Sequence, residues 1–188
     1  MLEVFGSQYK TESLSHKNHV GENPLFTAAR TGDPKIFSWF TGHIDFFKAR
    51  GERNFEGLTI EHIACKLKHL EIVEEIKARP DSRDYYGNLP IFYSIEENDA
   101  DMIKKLFPNG KEYFILRNYK YQTIFHIAAK FNSLQALVAI VKRNSVFIEE
   151  LIKKDYKGQT PIHMAAKYGS LDILRFYLSV VTPPFLAF

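Results

Sequence analysis

Apolar positions along the chain come in paired short runs. A polar stretch ends in a turn residue, an apolar run at helical spacing follows, a break interrupts it, and a second apolar run closes the unit. The pattern recurs five times: NHVGENPLFTAARTGD from Asn18, NFEGLTIEHIACKLKH from Asn54, DYYGNLPIFYSIEEND from Asp84, NYKYQTIFHIAAKFNS from Asn118 and DYKGQTPIHMAAKYGS from Asp155. The second runs are IFSWF, LEIVEEI, DMIKKLF, LQALVAIV and LDILRFYL, and the turn residues are Gly21, Gly57, Gly87, Tyr121 and Gly158. Start positions 18, 54, 84, 118 and 155 are separated by 36, 30, 34 and 37 residues, a mean of about 34. A period near 33 with two short helices per unit predicts an all-α solenoid, each unit burying its apolar face against its neighbours.

The fifth unit carries the most specific signal. Thr160-Pro161-Ile162-His163-Met164-Ala165-Ala166 with Gly169, preceded by Asp155 and Gly158, closely resembles the ankyrin-repeat consensus, in which T-P-L-H-x-A-A opens the first helix. The fourth unit keeps Thr123, His126, Ala128 and Ala129; the second keeps Thr59, His62 and Ala64. The resemblance spans Asn18 to Leu178 and implies stacked helix-turn-helix units with projecting β-turn fingers. Each residue type has a local reason. Thr at the helix head offers an N-cap, and Pro24, Pro90 and Pro161 sit where a missing N–H is harmless. Alanine pairs let neighbouring units approach. Gly32 and Gly169, with Asn98 and Asn132 in the same slot, tolerate the left-handed residue that closes a helix.

Departures mark expected irregularities. Asn23 replaces Thr and Phe26 replaces His in the first unit. Glu61 stands at a core Leu position and Lys68 at the helix-ending Gly. The third unit has Leu89 for Thr, Phe92 for His and Ser94-Ile95 for Ala-Ala. Together with the spacings of 36 and 30, these predict distorted or bulged packing. Tyr121 in place of Gly predicts a turn that avoids positive φ. The organisation expected is a capping segment 1–17, repeats at about 18–53, 54–83, 84–117, 118–154 and 155–182, and an apolar tail 183–188. That tail reads either as the start of a further repeat or linker, or as an end folded back on the last repeat.

Composition narrows the chemistry. The 188 residues are 45% hydrophobic and 25% charged, as in a globular protein, with a net charge of +3 and no long basic run. One cysteine, Cys65, leaves no disulfide framework or multi-cysteine zinc module. No apolar run approaches a membrane span and the first residues do not read as a signal peptide, which points to a cytoplasmic location; a monomer is expected. Abundant Lys, Ile, Phe and Tyr fit an AT-rich genome, and by resemblance degenerate arrays of this kind are common in protists and in effectors delivered by intracellular bacteria into a host cytosol. His62, His126 and His163 recur at one position that, in the family, hydrogen-bonds the neighbouring turn. His16, His19 and His43 have no partners at metal-ligand spacing, and His69 follows the helix-ending slot. The pairs Glu74-Glu75, Glu96-Glu97 and Glu149-Glu150 read as solvated faces. No nucleophile elbow, zinc-protease motif or phosphate loop occurs, so neither catalysis, metal nor cofactor is expected.

Aromatic content is the one unusual figure: 16 Phe, 10 Tyr and 1 Trp make 14% of the chain. Part is expected in the core, on second helices, at Phe37, Trp39, Phe40, Phe107 and Phe176. The resemblance assigns partner contacts to residues flanking the finger turn and preceding the helix-ending slot, on a concave face. In the first unit these are His19, Val20, Glu22, Arg30 and Thr31, and in the second they include Leu58. The residues expected to bind a partner are Phe55, Tyr85, Tyr86, Tyr119, Lys120, Lys130, Phe131, Tyr156, Lys157, Lys167 and Tyr168. The series His19, Phe55, Tyr85, Tyr119, Tyr156 forms a fingertip ridge that either contacts a partner or packs finger on finger. Repeats four and five carry Lys120, Lys130, Lys157 and Lys167 without an acid, which points to an acidic partner segment. The expected function is a non-catalytic protein–protein interaction module. Two alternatives stay open: the regulatory or targeting part of a larger enzyme, channel or effector, and nucleic-acid binding through repeats four and five.

Overall fold

The computed structural model describes residues 14–77, 81–106, 114–141 and 145–181. Residues 1–13 of the expected cap, the tail 183–188 and Phe107 lie outside the described residues. Among those described, secondary structure is helical, with no strand. The chain forms two compact units, Met1–Tyr85 and Tyr86–Phe188.

The first unit contains α1 (Pro24–Thr31), α2 (Pro34–His43), α3 (Phe46–Gly51), α4 (Ile60–Lys66) and α5 (Leu70–Ile76). The second contains α6 (Pro90–Glu96), α7 (Ala100–Leu106), α8 (Ile124–Phe131), α9 (Leu134–Val141), a 3₁₀ helix (Ser145–Ile152), α10 (Pro161–Tyr168) and α11 (Leu171–Val181). First helices pack on first helices and second on second: α1 on α4 and α2 on α5 in one unit, α6 on α8 on α10 and α7 on α9 on α11 in the other. Short helices of six to eleven residues are marginal alone, so the stacking supplies their stability. In the second unit Ile91, Ile95, Phe125, Ala128, Leu137, Met164 and Ile173 form one continuous buried cluster. Ala128 and Ala129 are fully buried, as close approach of neighbouring first helices requires.

The irregular spacing is absorbed in the connections. The extra residues of the first repeat form α3, and those of the fourth form the 3₁₀ helix. In the second and third repeats, where distortion is expected, α4 to α7 each run seven residues, and α4 and α6 are one residue shorter than α1, α8 and α10. Glu61 is accommodated as a buried carboxylate, its Oε1 2.8 Å from Arg50 Nε, while Oε2 has no partner. Lys68, Asn98 and Asn132 take the left-handed conformation of the helix-ending slot, at φ of +63°, +54° and +53°. Trp39 corrects the expected division of aromatics. It is 52% exposed, stacked on His43 at 4.2 Å, whereas Phe37 is fully buried and Phe40 and Phe176 are half-buried.

Candidate protein-binding face

Four fingers are seen tied at the base by the Asn or Asp that begins the repeat: Asn18, Asn54, Asn118 and Asp155. Asn118 Oδ1 accepts the backbone N–H groups of Lys120 and Gln122, both at 3.0 Å. Asp155 Oδ1 does the same for Lys157 at 2.8 Å and Gln159 at 2.9 Å, and Asn54 for Glu56 and Leu58. A short acceptor side chain bonding backbone two residues on is how Asx residues stabilise turns. Asn or Asp stands at all five repeat starts, Asn18, Asn54, Asp84, Asn118 and Asp155, a regularity present in the sequence itself.

Adjacent fingers are joined by main-chain hydrogen bonds. In the first unit Phe55 N–H donates to Val20 C=O at 3.0 Å and Tyr85 N–H to Glu56 C=O at 3.4 Å. In the second, Tyr119 N–H donates to Tyr86 C=O and Tyr156 N–H to Lys120 C=O, both at 3.0 Å. The same bonds seat the rings. A Cβ built at Gly21 would lie 2.6 Å from Phe55 Cδ1, and one at Gly87 2.6 Å from Tyr119 Cδ1. The turn glycine is thus the floor on which the next finger's ring rests. Yet Phe55 remains 70% exposed and Tyr119 65%. The two readings of the fingertip aromatics are therefore compatible: each ring packs with one part and presents the rest to solvent.

Tyr121 overturns an expectation, because its φ is +57°. Its N–H closes the turn on Asn118 C=O at 2.9 Å, and the neighbouring Lys120 C=O receives Tyr156 N–H. This bonding over-determines the turn, and the exposed ring meets no packing obstacle. The left-handed backbone then costs about 1–2 kcal/mol.

Of the residues expected to bind, Phe55 and Tyr85 lie in the first unit, and both are exposed. The other nine lie in the second unit; all are exposed except Lys130, which is half-buried. Tyr86, Lys120, Lys130 and Phe131 come together around a hollow of about 210 Å³, also lined by Asn88, Phe92, Tyr93, Glu96, Asn118, Gln122 and Ile127. Tyr156, Lys157, Lys167 and Tyr168 do not line it. Three lysines sit over an adjacent ring: Lys130 over Phe131 at 4.5 Å, Lys157 over Tyr156 and Lys167 over Tyr168, both at 5.4 Å. These are cation–π distances. Among the described residues, none of Lys120, Lys130, Lys157 and Lys167 is in an ion pair.

Two positions of the first unit expected to meet a partner are buried instead. Leu58 is buried. Glu22, also buried, binds Arg30 through two hydrogen bonds of 2.8 and 2.6 Å and accepts Asn54 Nδ2 at 3.0 Å. The Arg30 bond is the main reason the Glu22 carboxyl is held below the usual carboxylate range, with burial opposing it.

The recurrent histidines are structural. His126 Nδ1 accepts Thr123 N–H at 3.1 Å, and Thr123 Oγ1 lies 2.9 Å from the same nitrogen. His126 Nε2 donates to Gln159 C=O, in the next finger, at 3.0 Å. Since a carbonyl only accepts, the ring is the neutral tautomer protonated on Nε2. Burial lowers its pKa, with the Gln159 bond opposing. His62 and His163 make the same contact to Thr59 and Thr160, and His69 Nε2 donates to Arg30 C=O at 3.1 Å. Glu150, expected on a solvated face, is half-buried, and burial raises its carboxyl. Cys65 is buried and in no disulfide. Among the described residues, no group of three His, Cys, Asp or Glu is placed to hold a metal, and no helix is long and apolar enough to cross a membrane.

Stacked helix pairs, Asx-tied fingers and left-handed helix closures define a helical-repeat protein. The family model "Ankyrin repeats (3 copies)" matches residues 25–116 and 91–180, most of the chain, and the protein belongs to the ankyrin-repeat family. No curated protein matches the sequence. Ankyrin repeats are generally protein–protein interaction modules and typically non-catalytic.

Proposed function

We propose that this chain is a non-catalytic adaptor that holds a partner protein against the finger face of its second unit, through a partner segment carrying acidic residues. The observation that carries the reading is the set Lys120, Lys130, Lys157 and Lys167. Lys130, Lys157 and Lys167 sit over exposed rings, and all four are, among the described residues, in no ion pair. Stacking on a ring restrains the lysine stem and leaves the ammonium able to meet a carboxylate. Tyr119 supports the reading differently. Its backbone is bonded to Tyr86 and its ring is seated on Gly87, so a large contact surface is held in place before binding, which lowers the ordering cost. Charges of this kind speed encounter and select partners more than they add affinity, and salt screens them.

Affinity capture with mass spectrometry, comparing wild type with Lys120→Glu/Lys157→Glu/Lys167→Glu and with Tyr86→Ala/Tyr119→Ala, tests the proposal. Partners should be lost with either variant while thermal unfolding changes little for the charge variant. An unchanged set of partners rejects this face.

A further inference from the structure

The hollow between the third and fourth fingers has a composition of its own, and its donors can be oriented. Asn118 Nδ2 donates to Asn88 Oδ1 at 3.0 Å and to Gln122 Oε1 at 3.1 Å. With the Gln122 oxygen engaged, its amide NH₂ is the end left to face outward, and among the described residues it has no partner. Lys120 and Lys130 line the same hollow and, among those residues, are in no ion pair. Glu96 is the one acid on the lining, against two lysines, so the lining carries a net positive charge. The hollow therefore offers two ammonium groups and an amide donor above an aromatic wall.

We infer that this hollow is a single-residue pocket for an acidic side chain, glutamate or aspartate, of the partner segment; the inference rests on the proposed protein-binding role and locates its specificity. Size suits a small guest. About 210 Å³ is below the roughly 300–1,000 Å³ of small-molecule sites, and suits one side chain entering from a peptide. Charge chooses the guest. A carboxylate accepts from Lys120, Lys130 and Gln122 together, its methylenes lying along Tyr86 and Phe131. A lysine or arginine would face two like charges, and an apolar side chain would leave the donors unused. Hydrogen bonds to charged groups are the stronger kind, so one acidic position should dominate recognition. The lysines of the fifth repeat, outside the hollow, should act diffusely.

Selection of displayed random twelve-residue peptides on the full chain tests this, followed by fluorescence anisotropy. Binders should share one acidic position, and replacing it by its amide should weaken binding about tenfold or more. In Lys120→Ala/Lys130→Ala that replacement should make little further difference, whereas Lys167→Ala should leave its effect intact. Lys120→Glu/Lys130→Glu should select a basic residue there. Gln122→Leu, which keeps both charges, should weaken the acidic peptide without changing the preferred residue. Unaltered circular dichroism and unfolding midpoints establish that the variants fold. Binders with no acidic position, or an amide effect undiminished in the double alanine variant, overturn the pocket while leaving the binding role in place. If no peptide binds, both fall.

Discussion

Gly87→Ala and Gly158→Ala make a matched pair that isolates how the fingers hold their aromatic residues. Both glycines have nearly the same left-handed backbone, φ +75° and +73°. Alanine at either position incurs the same strain, roughly 1–2 kcal/mol, partly offset by about 0.4–1 kcal/mol from a stiffer unfolded chain. Around Gly158 a new Cβ meets nothing within 4 Å, so the loss there should be about 1 kcal/mol or less. Around Gly87 it would lie 2.6 Å from Tyr119 Cδ1, 2.7 Å from Cγ and 2.7 Å from the Tyr119 backbone nitrogen. The ring alone could swing aside. The backbone cannot move without lengthening the 3.0 Å bond to Tyr86 C=O. Overpacking of about 1–3 kcal/mol and part of a hydrogen bond of about 1 kcal/mol then add to the strain. Gly87→Ala should therefore cost about 3 kcal/mol in all. Urea unfolding of both variants measures the difference. Because repeat proteins can open locally, hydrogen exchange at the Tyr119 amide supplies the site-specific readout, and protection should fall only in Gly87→Ala. Equal losses in the two variants, or unchanged Tyr119 protection, would refute the reasoning.

Three further outcomes are expected. His126 is neutral in the fold and its pKa is lowered chiefly by burial, with the Gln159 bond and Asp155 opposing and Arg117 assisting. The unfolded chain binds a proton more readily below about pH 6.5, so this contribution is complete above that pH and lost as pH falls below it; urea midpoints between pH 8 and 5 should show the slope, flattened in His126→Gln. Arg50→Ala strands the buried Glu61 carboxylate and should cost about 3 kcal/mol, whereas Arg50→Met with Glu61→Leu should restore or exceed wild-type stability. A double variant as unstable as the single one would show the pair to be net stabilising. Tyr121→Gly removes about 1–2 kcal/mol of left-handed strain and adds roughly 0.5–1 kcal/mol of unfolded-chain entropy, so the unfolding midpoint should rise slightly; a fall would mean the exposed tyrosine ring contributes packing.

What the chain by itself determined is the unit and its repetition. The period, the prolines at the first helical position, the Thr–His pairs and the glycine or asparagine closures are local properties, each set by backbone chemistry within a few residues. They specified the all-α repeat class, the helix positions and the exposure of ten of the eleven residues expected to bind. Tertiary structure decided whatever depends on the neighbouring unit. Glu61 looked like a defect until Arg50, eleven residues earlier, was placed beside it. Glu22 had the position of a contact residue, but it is buried and its carboxylate is held by Arg30. Tyr121 takes a positive φ because the next finger bonds to the turn beside it, which no propensity at that residue encodes. Trp39 has core composition on a second helix and is nonetheless half exposed, because its ring stacks on His43 instead of entering the core. The hollow itself exists only where two fingers and two first helices meet, so its donors, drawn from Lys120, Gln122 and Lys130, could be assembled only by the stacking of one repeat on another.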